Sequence, residues 1–350
     1  MNTAIDEVRL TQFSHGAGCG CKIAPKVLDE ILQNNEKLFD EKLLVGNDSK
    51  DDAAVYDLGK GQGLVSTTDF FMPIVDDPYE FGKIAAANAI SDVYAMGGKP
   101  LMALAVLGWP VNKLSSAIAQ RVIAGGTLIC HEAGIPLAGG HSIDSPEPIF
   151  GLSVSGLVNI GNLKKNNTAR EGDILFLTKP IGVGIFSTAL KRGKLKEEHY
   201  VPLIRQLSTL NKIGETFGKI STVTAMTDVT GFGLLGHLLE MAEGSGLTAE
   251  IEYAAIPKLE GVDYYLKERT VPDSTFRNWN SYSEKVGFEN NVPVMDAFNL
   301  LPDPQTNGGL LISVSAPGVE EVRSILKANN IYHQSIGRMV EQGQKIIVVK

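Results

Sequence analysis

Residues 78–96 constrain this chain more than any other stretch. Phe81, Ile84, Ala85, Ala86, Ala87, Ala89, Ile90 and Val93 fall on nearly every side of a helical wheel, and a helix that is apolar all round has to be covered all round. The segment is therefore predicted as a buried helix. Asn88 and Asp92, four residues apart, share one face of it. A carboxylate within such a helix is costly to bury without a partner or a metal. Gly97-Gly98-Lys99-Pro100 ends the helix.

Around it the pattern alternates between strand and helix. Residues 53–57 and 63–71 read as partner strands, 101–107 as a buried strand, 114–132 as a helix, 135–138 as a short buried strand and 149–158 as another strand. Gly139-Gly140-His141-Ser142-Ile143-Asp144 reads as a glycine turn carrying polar groups. The Lys- and Asn-rich stretch 162–167 is taken as the domain boundary. Beyond it, strands at 173–178, 221–230, 247–253 and 310–314 alternate with helices ending near 191, at 201–217, through about 243 and at 319–329. Residues 264–292 read as a long irregular insertion, and two strand-like pieces close the chain. The fold class is α/β (α+β type) with two domains, 49–161 and 168–350, preceded at 1–48 by a flexible glycine-rich loop and a tether helix. A length of 350 residues, 43% hydrophobic and 21% charged, suits two full cores.

The loop is Ser14-His15-Gly16-Ala17-Gly18-Cys19-Gly20-Cys21-Lys22. Its glycines predict mobility, and His15 and Lys22 are close enough in sequence to lower a thiol pKa toward the reactive thiolate. A Cys-x-Cys pair also occurs as half of a zinc site, and a glycine-rich stretch also occurs as plain linker. With Cys130 as the only other cysteine, a zinc site lacks its second pair. Pro25 then opens a helix with Val27, Leu28, Ile31 and Leu32 at helical spacing, expected to tether the loop.

A net charge of −8 argues against nucleic-acid or anionic-membrane partners, and a polyanionic ligand would need metal ions to offset repulsion. Three cysteines, an odd number, fit a reducing compartment rather than a disulfide framework. Residues 1–10 carry Asp6 and Glu7 and no signal-peptide core, and the apolar runs are too short to span a membrane, so a cytoplasmic protein is expected.

There is no Walker A sequence. Gly231-x-Gly233-x-x-Gly236, with Glu250 or Glu252 following, matches the dinucleotide fingerprint. Asp228, just ahead of it, would repel a pyrophosphate on that helix N-terminus unless a cation lay between. The competing pattern is the set Asp51, Asp52, Asp69, Asp92 and Asp228, oxygen ligands of the kind Mg²⁺ takes together with water and substrate phosphates. Each of these read singly is a cap or turn residue, Asp92 excepted. His131 and His237 read as structural.

Seven motifs then carry a resemblance: the loop from Ser14 to Lys22, Asp51-Asp52-Ala53-Ala54-Val55-Tyr56, Ser66-Thr67-Thr68-Asp69-Phe70-Phe71, Asn88-Ala89-Ile90-Ser91-Asp92, Ala138-Gly139-Gly140-His141-Ser142-Ile143-Asp144, Thr227-Asp228-Val229-Thr230-Gly231-Phe232-Gly233 and Asp303-Pro304-Gln305-Thr306. Through them the chain resembles the selenophosphate synthetase (selenide, water dikinase) family of the aminoimidazole ribonucleotide synthetase-like superfamily. The resemblance implies a homodimer formed through the N-terminal domain, ATP binding without a P-loop, and the reaction ATP + selenide + water → selenophosphate + AMP + orthophosphate, which supplies activated selenium for selenocysteine and selenouridine synthesis. It implies Cys19 and Lys22 as the essential pair, nucleotide contacts at Lys22, Ser49, Lys50, Asp51, Asp69, Asp92, Gly140, His141 and Ser142, and Mg²⁺ ligands at Asp52, Asp92 and Asp228, with room for a monovalent cation such as K⁺. One departure is Asn307, where a serine is expected, outside the catalytic motifs. The chemical role of Cys19, as selenium carrier or acid/base, stays open.

Overall fold

Residues 8–23, 25–32, 39–46 and 50–350 are described by the computed structural model. The glycine loop leads into α1 (Pro25–Leu32), whose Val27, Leu28 and Ile31 remain exposed. β1 (Leu43–Val45), β2 (Ala54–Gly59) and β3 (Gln62–Phe71) follow as antiparallel neighbours. The predicted buried helix is α2 (Pro78–Ala95), capped by Asp77, whose side chain accepts from the N–H groups of Tyr79 and Glu80. Every residue of α2 except Tyr79, Glu80 and Lys83 is buried.

β4 (Lys99–Trp109), α3 (Ser116–Ala133), β5 (Leu137–Asp144) and β6 (Ile149–Asn159) complete the first half, whose six-stranded sheet has the order β1-β2-β3-β6-β4-β5. Here the structure corrects the expected glycine turn. Residues 139–144 belong to β5, an exposed edge strand lying parallel to β4. Gly139 and Gly140 have positive φ, and that backbone is extended enough to keep pairing while breaking the alternation a strand is recognised by.

The connector at 162–167 is packed rather than loose. Lys164 is buried and donates to the carbonyls of Ile220 and Val223, and Asn166 is buried beside it. The second half contains β7 (Ile174–Leu177), α4 (Val183–Lys191), α5 (Glu197–Ser208), α6 (Ile213–Gly218), β8 (Val223–Asp228), α7 (Gly233–Ser245) and β9 (Leu247–Ile251). It continues with α8 (Val262–Lys267), α9 (Asp273–Tyr282), β10 (Val286–Phe288), α10 (Val294–Leu300), β11 (Leu310–Val314), α11 (Val319–Ala328), β12 (Ser335–Glu341) and β13 (Ile347–Val349). Its seven-stranded sheet has the order β10-β13-β9-β12-β7-β11-β8.

Two further expectations change. The single helix over 201–217 is two, because Thr209 leaves helical geometry (φ −77°, ψ 124°) and its hydroxyl donates to the Arg205 carbonyl. The stretch 264–292 is ordered: α9 carries Trp279, which packs against Phe288 and Phe298. α2 packs on β3, β6 and α3 from its own half and on α5, α6 and β8 from the other, which is what its all-round apolar surface requires. Among the described residues no helix is long and apolar enough to cross a membrane.

Candidate active site

The polar face of α2 organises the site. Asn88, Ser91 and Asp92 stand at helical spacing on one side and are buried. Each meets a group from another element. Asp92 Oδ2 accepts from the Thr67 hydroxyl of β3 at 2.5 Å, and Ser91 donates to Asp228 Oδ2 at the end of β8, also at 2.5 Å. Asn88 Nδ2 donates to Asp69 Oδ2 of β3 at 2.5 Å, while its Oδ1 accepts from the backbone N–H of Asn307 at 2.7 Å.

The glycine loop, expected to be mobile, is docked over this face. Its Gly18–Cys21 segment forms one tight turn, and Gly18 has φ +51°. A Cβ on Gly18 would lie 2.5 Å from Thr306 Oγ1 and 2.7 Å from Ile74 Cδ1, so no larger residue allows this approach. The Cys19 N–H donates to Thr306 Oγ1 at 2.9 Å and the thiol donates to Asn88 Oδ1 at 3.3 Å. Lys191 donates to the carbonyls of Ser14 and Gly16, and Arg277 to that of Gly20. The Cys21 side chain lies outside the described residues.

The electrostatics of Cys19 reverse the sequence expectation. Burial first, and then the Asp69 carboxylate, push its thiol far above the ordinary cysteine range; Lys22 pulls the other way and loses. His15 does not contribute, since its largely exposed ring pairs with Glu147 at 3.0 Å. Lys22 sits 3.8 Å from Asp69, which is the main reason its ammonium is held more firmly than usual. In this closed arrangement burial and Asp69 favour the protonated thiol, which donates to Asn88 Oδ1.

Asp52, Asp92 and Asp228 are drawn together from three elements. Asp52 accepts from Thr227 at 2.9 Å through Oδ1, and its buried Oδ2 has no hydrogen-bond partner among the described residues. Burial raises the pKa of all three, and for Asp52 and Asp92 the Asp228 carboxylate is the next cause. Buried carboxylates that repel one another favour a nearby hard cation that offsets their charge. Each carboxylate is held by a hydroxyl, from Thr227, Thr67 and Ser91, and among the described residues no three acidic, imidazole or thiol side chains stand close enough together to hold a metal ion by themselves. Mg²⁺ usually takes only one or two carboxylates and completes its shell with water and phosphates, so it does not require a three-residue cluster.

The remaining expected residues are distributed unevenly. Ser49 lies outside the described residues. Lys50 is exposed with φ +52°, and Asp51 Oδ1 accepts from the Asn166 N–H at 2.7 Å, at the mouth of β2. Gly140, His141 and Ser142 are exposed on β5, which β4 and β6 separate from Asp69 on β3 by three strand spacings, about 14 Å. Within one chain they therefore stand apart from Asp69. The glycine fingerprint at 231–236 serves packing instead: a Cβ on Gly231 would lie 2.7 Å from the Cys19 carbonyl, and Glu250 is tied up by Arg338 and Lys350. His237 is buried between Thr230 and Glu240, the structural role expected of it. His131 is exposed near the end of α3.

Asn307, set aside in the sequence, is a buried hub with φ +47°. Besides donating to Asn88, its amide donates to the carbonyls of Leu207 and Thr209, and its own carbonyl accepts from Lys179 at 2.9 Å. Burial lowers the Lys179 pKa to about 7. Thr67, Ser91, Thr227 and Asn307 were not singled out from the sequence as site residues. Thr67, Ser91 and Thr227 lie inside the motifs that carry the family resemblance, and the helical spacing of Ser91 with Asn88 was a further signal for that residue.

Fold and site together define an AIR synthase related protein: residues 50–158 match the N-terminal domain of that family and 170–350 its C-terminal domain. Solved structures of the same fold include thiamine-monophosphate kinase from Stenotrophomonas maltophilia (TM-score 0.65, 19% identity, covering 94% of this chain and 96% of that one). Hydrogenase maturation protein HypE in complex with ATP is another (TM-score 0.64, 16% identity, 99% and 89% covered). Within that class the chain belongs to the selenide, water dikinase family. It is 58% identical over 338 residues to the selenide, water dikinase of Aeromonas salmonicida, with 96% of each chain covered. It is 56% identical over 345 residues to that of Pseudomonas putida, with 98% and 99% covered.

Proposed function

We propose that this chain synthesises selenophosphate, converting ATP, selenide and water to selenophosphate, AMP and orthophosphate. The observation that carries the reading is a single buried network in which a thiol, Cys19, is one hydrogen bond from Asn88 and two from Asp69, beside three aspartates suited to a divalent cation. A polyphosphate needs that cation in a protein of net charge −8. Asp52, Asp92 and Asp228 would hold Mg²⁺, which when bound neutralises phosphate charge. Lys22 adds a positive charge beside Asp69, and Lys50, Asp51, Asp69 and Asp92 line the nucleotide side, joined by Ser49 in the sequence. A monovalent cation such as K⁺ is a further expected ligand.

Cys19, protonated and facing Asn88, is suited to donating a hydrogen bond or proton at the reacting selenium or phosphate; the docked loop excludes water while it does so. Phosphoryl transfer depends on this positioning and charge neutralisation more than on covalent protein chemistry. We also propose that the protein is a cytoplasmic homodimer: the exposed edge strand β5, three strand spacings from Asp69 of its own chain, offers Gly140, His141 and Ser142 to a nucleotide in the other copy. Phosphorus NMR on protein, Mg²⁺ and ATP, with and without selenide under argon, tests the reaction. AMP and a selenium-bonded phosphorus signal that appear only with selenide support it; AMP formation indifferent to selenide refutes it.

A further inference from the structure

Two cavities flank the turn that carries Cys19. The smaller, of 220 Å³, is lined by Cys19, Lys22 and Asp69 on the nucleotide side. The larger, of 540 Å³, lies between the glycine loop and the second half of the chain, and its lining contains none of Asp52, Asp69, Asp92 and Asp228. Lys22 lines both, so the Cys19–Lys22 turn is the partition between them.

The larger cavity has the opposite charge to the rest of the protein. Lys22, Lys191, Arg192, Arg277 and His15 line it, against one carboxylate, Asp273. Glu147 pairs with His15 and Asp69 with Lys22, each from outside the lining. In a chain of net charge −8, four permanent cations around one concavity are a focused positive potential, and a concave low-dielectric wall strengthens it. Two of these cations have a second task. Lys191 holds the Ser14 and Gly16 carbonyls and Arg277 the Gly20 carbonyl, so the walls of the cavity are also the fastenings of the loop.

Resting on the selenophosphate reading above, we infer that this cavity is the vestibule through which the selenium substrate, as the hydroselenide monoanion, reaches Cys19. The nucleotide side is closed to such an ion by the aspartates and by the polyphosphate itself, and like charges repel it there. On the vestibule side it meets cations at every wall and Lys22 at the inner end. An anion on Lys191 and Arg277 competes with the loop carbonyls those side chains hold, which couples arrival of the substrate to release of the loop.

The test is charge reversal at Arg192, whose guanidinium donates to the Arg269 carbonyl and does not fasten the loop. Arg192→Glu changes the charge of the cavity lining by two units, and two unit charges at separations on the order of 10 Å in water lower local anion occupancy roughly five-fold at low salt. Selenide-dependent AMP formation is measured anaerobically at low and high ionic strength. The inference expects KM for selenide to rise about five-fold at low salt, the difference to shrink at high salt, and Mg·ATP affinity to stay as in the wild type. Asp273→Asn, a milder change, should move KM for selenide the other way, and Lys60→Glu, at the exposed β2–β3 hairpin tip, should leave it unmoved. Wild-type KM and salt dependence in both Arg192→Glu and Asp273→Asn, or an equal shift in Lys60→Glu, overturns the vestibule. Absence of selenide-dependent AMP in the wild type instead overturns the function on which it rests.

Discussion

Replacing Asn88 by alanine removes three buried hydrogen bonds at once: from the Cys19 thiol at 3.3 Å, from the Asn307 N–H at 2.7 Å, and to Asp69 Oδ2 at 2.5 Å. A buried N–H left without an acceptor costs about 1–3 kcal/mol, and a lost bond to a charged acceptor about as much. Allowing for the weak thiol donor and for non-additivity, Asn88→Ala should destabilise the protein by about 3 kcal/mol. The larger consequence is for turnover. Cys19 and Asp69 take their positions from the same amide, and a displacement of about 1 Å at reacting groups costs on the order of 100-fold. Selenide-dependent AMP formation should fall about 100-fold, with Mg·ATP binding weakened only a few-fold because Asp52, Asp92 and Asp228 keep their own hydroxyl partners. Asn88→Asp keeps one acceptor oxygen but sets a second carboxylate against Asp69. It should be worse than alanine at pH 8 and recover in part as the pH falls and one of the two carboxyls takes up a proton. Turnover of Asn88→Ala within two-fold of wild type, by steady-state AMP assay on protein verified as folded, would show that Asn88 does not position Cys19.

The three buried aspartates behave differently from an ordinary ion pair. Asp52→Asn, Asp92→Asn and Asp228→Asn should each weaken Mg·ATP binding at least ten-fold by calorimetry while leaving the metal-free protein as stable or more so, because mutual repulsion is relieved; unchanged affinity in all three removes the metal site. Cys19→Ser should lose selenide-dependent AMP formation and keep Mg·ATP binding, whereas Lys22→Ala should lose both in part, and a Cys19→Ser enzyme of normal rate removes the thiol from the chemistry. Asp303, buried, has its carboxyl pushed up to about 8. Its folded pKa is above the unfolded value, so the stability it contributes is complete at low pH and is lost as pH rises toward 8. At 1.36 kcal/mol per unit this is about 2–3 kcal/mol between pH 6 and 8. Urea unfolding of Asp303→Asn should lack that decline, and parallel wild-type and variant slopes would contradict it.

What the sequence determined about this protein is what depends on neighbours along the chain. α2 was legible because burial on every side is a local compositional signal, and helical periodicity alone puts Asn88 and Asp92 on one face of it. The aspartates were legible as a set because no shorter route to phosphate binding, such as a P-loop, was present. The edge strand β5 was not, since glycines at 139 and 140 erase the alternation by which strands are read. Nor was the break after α5, because Thr209 leaves the helix to present its carbonyl to Lys179 and Asn307, partners far away in sequence. The state of Cys19 shows the division most plainly. Along the chain its neighbours are His15 and Lys22, which argue for a thiolate; in the fold His15 turns away to Glu147, and burial with Asp69 outweighs Lys22. Proximity in sequence selects which charges are available, but the sign of a pKa shift is set by desolvation and by distances between atoms, and those exist only once residues 19, 69, 88 and 307 have been brought together by the packing of both halves around α2.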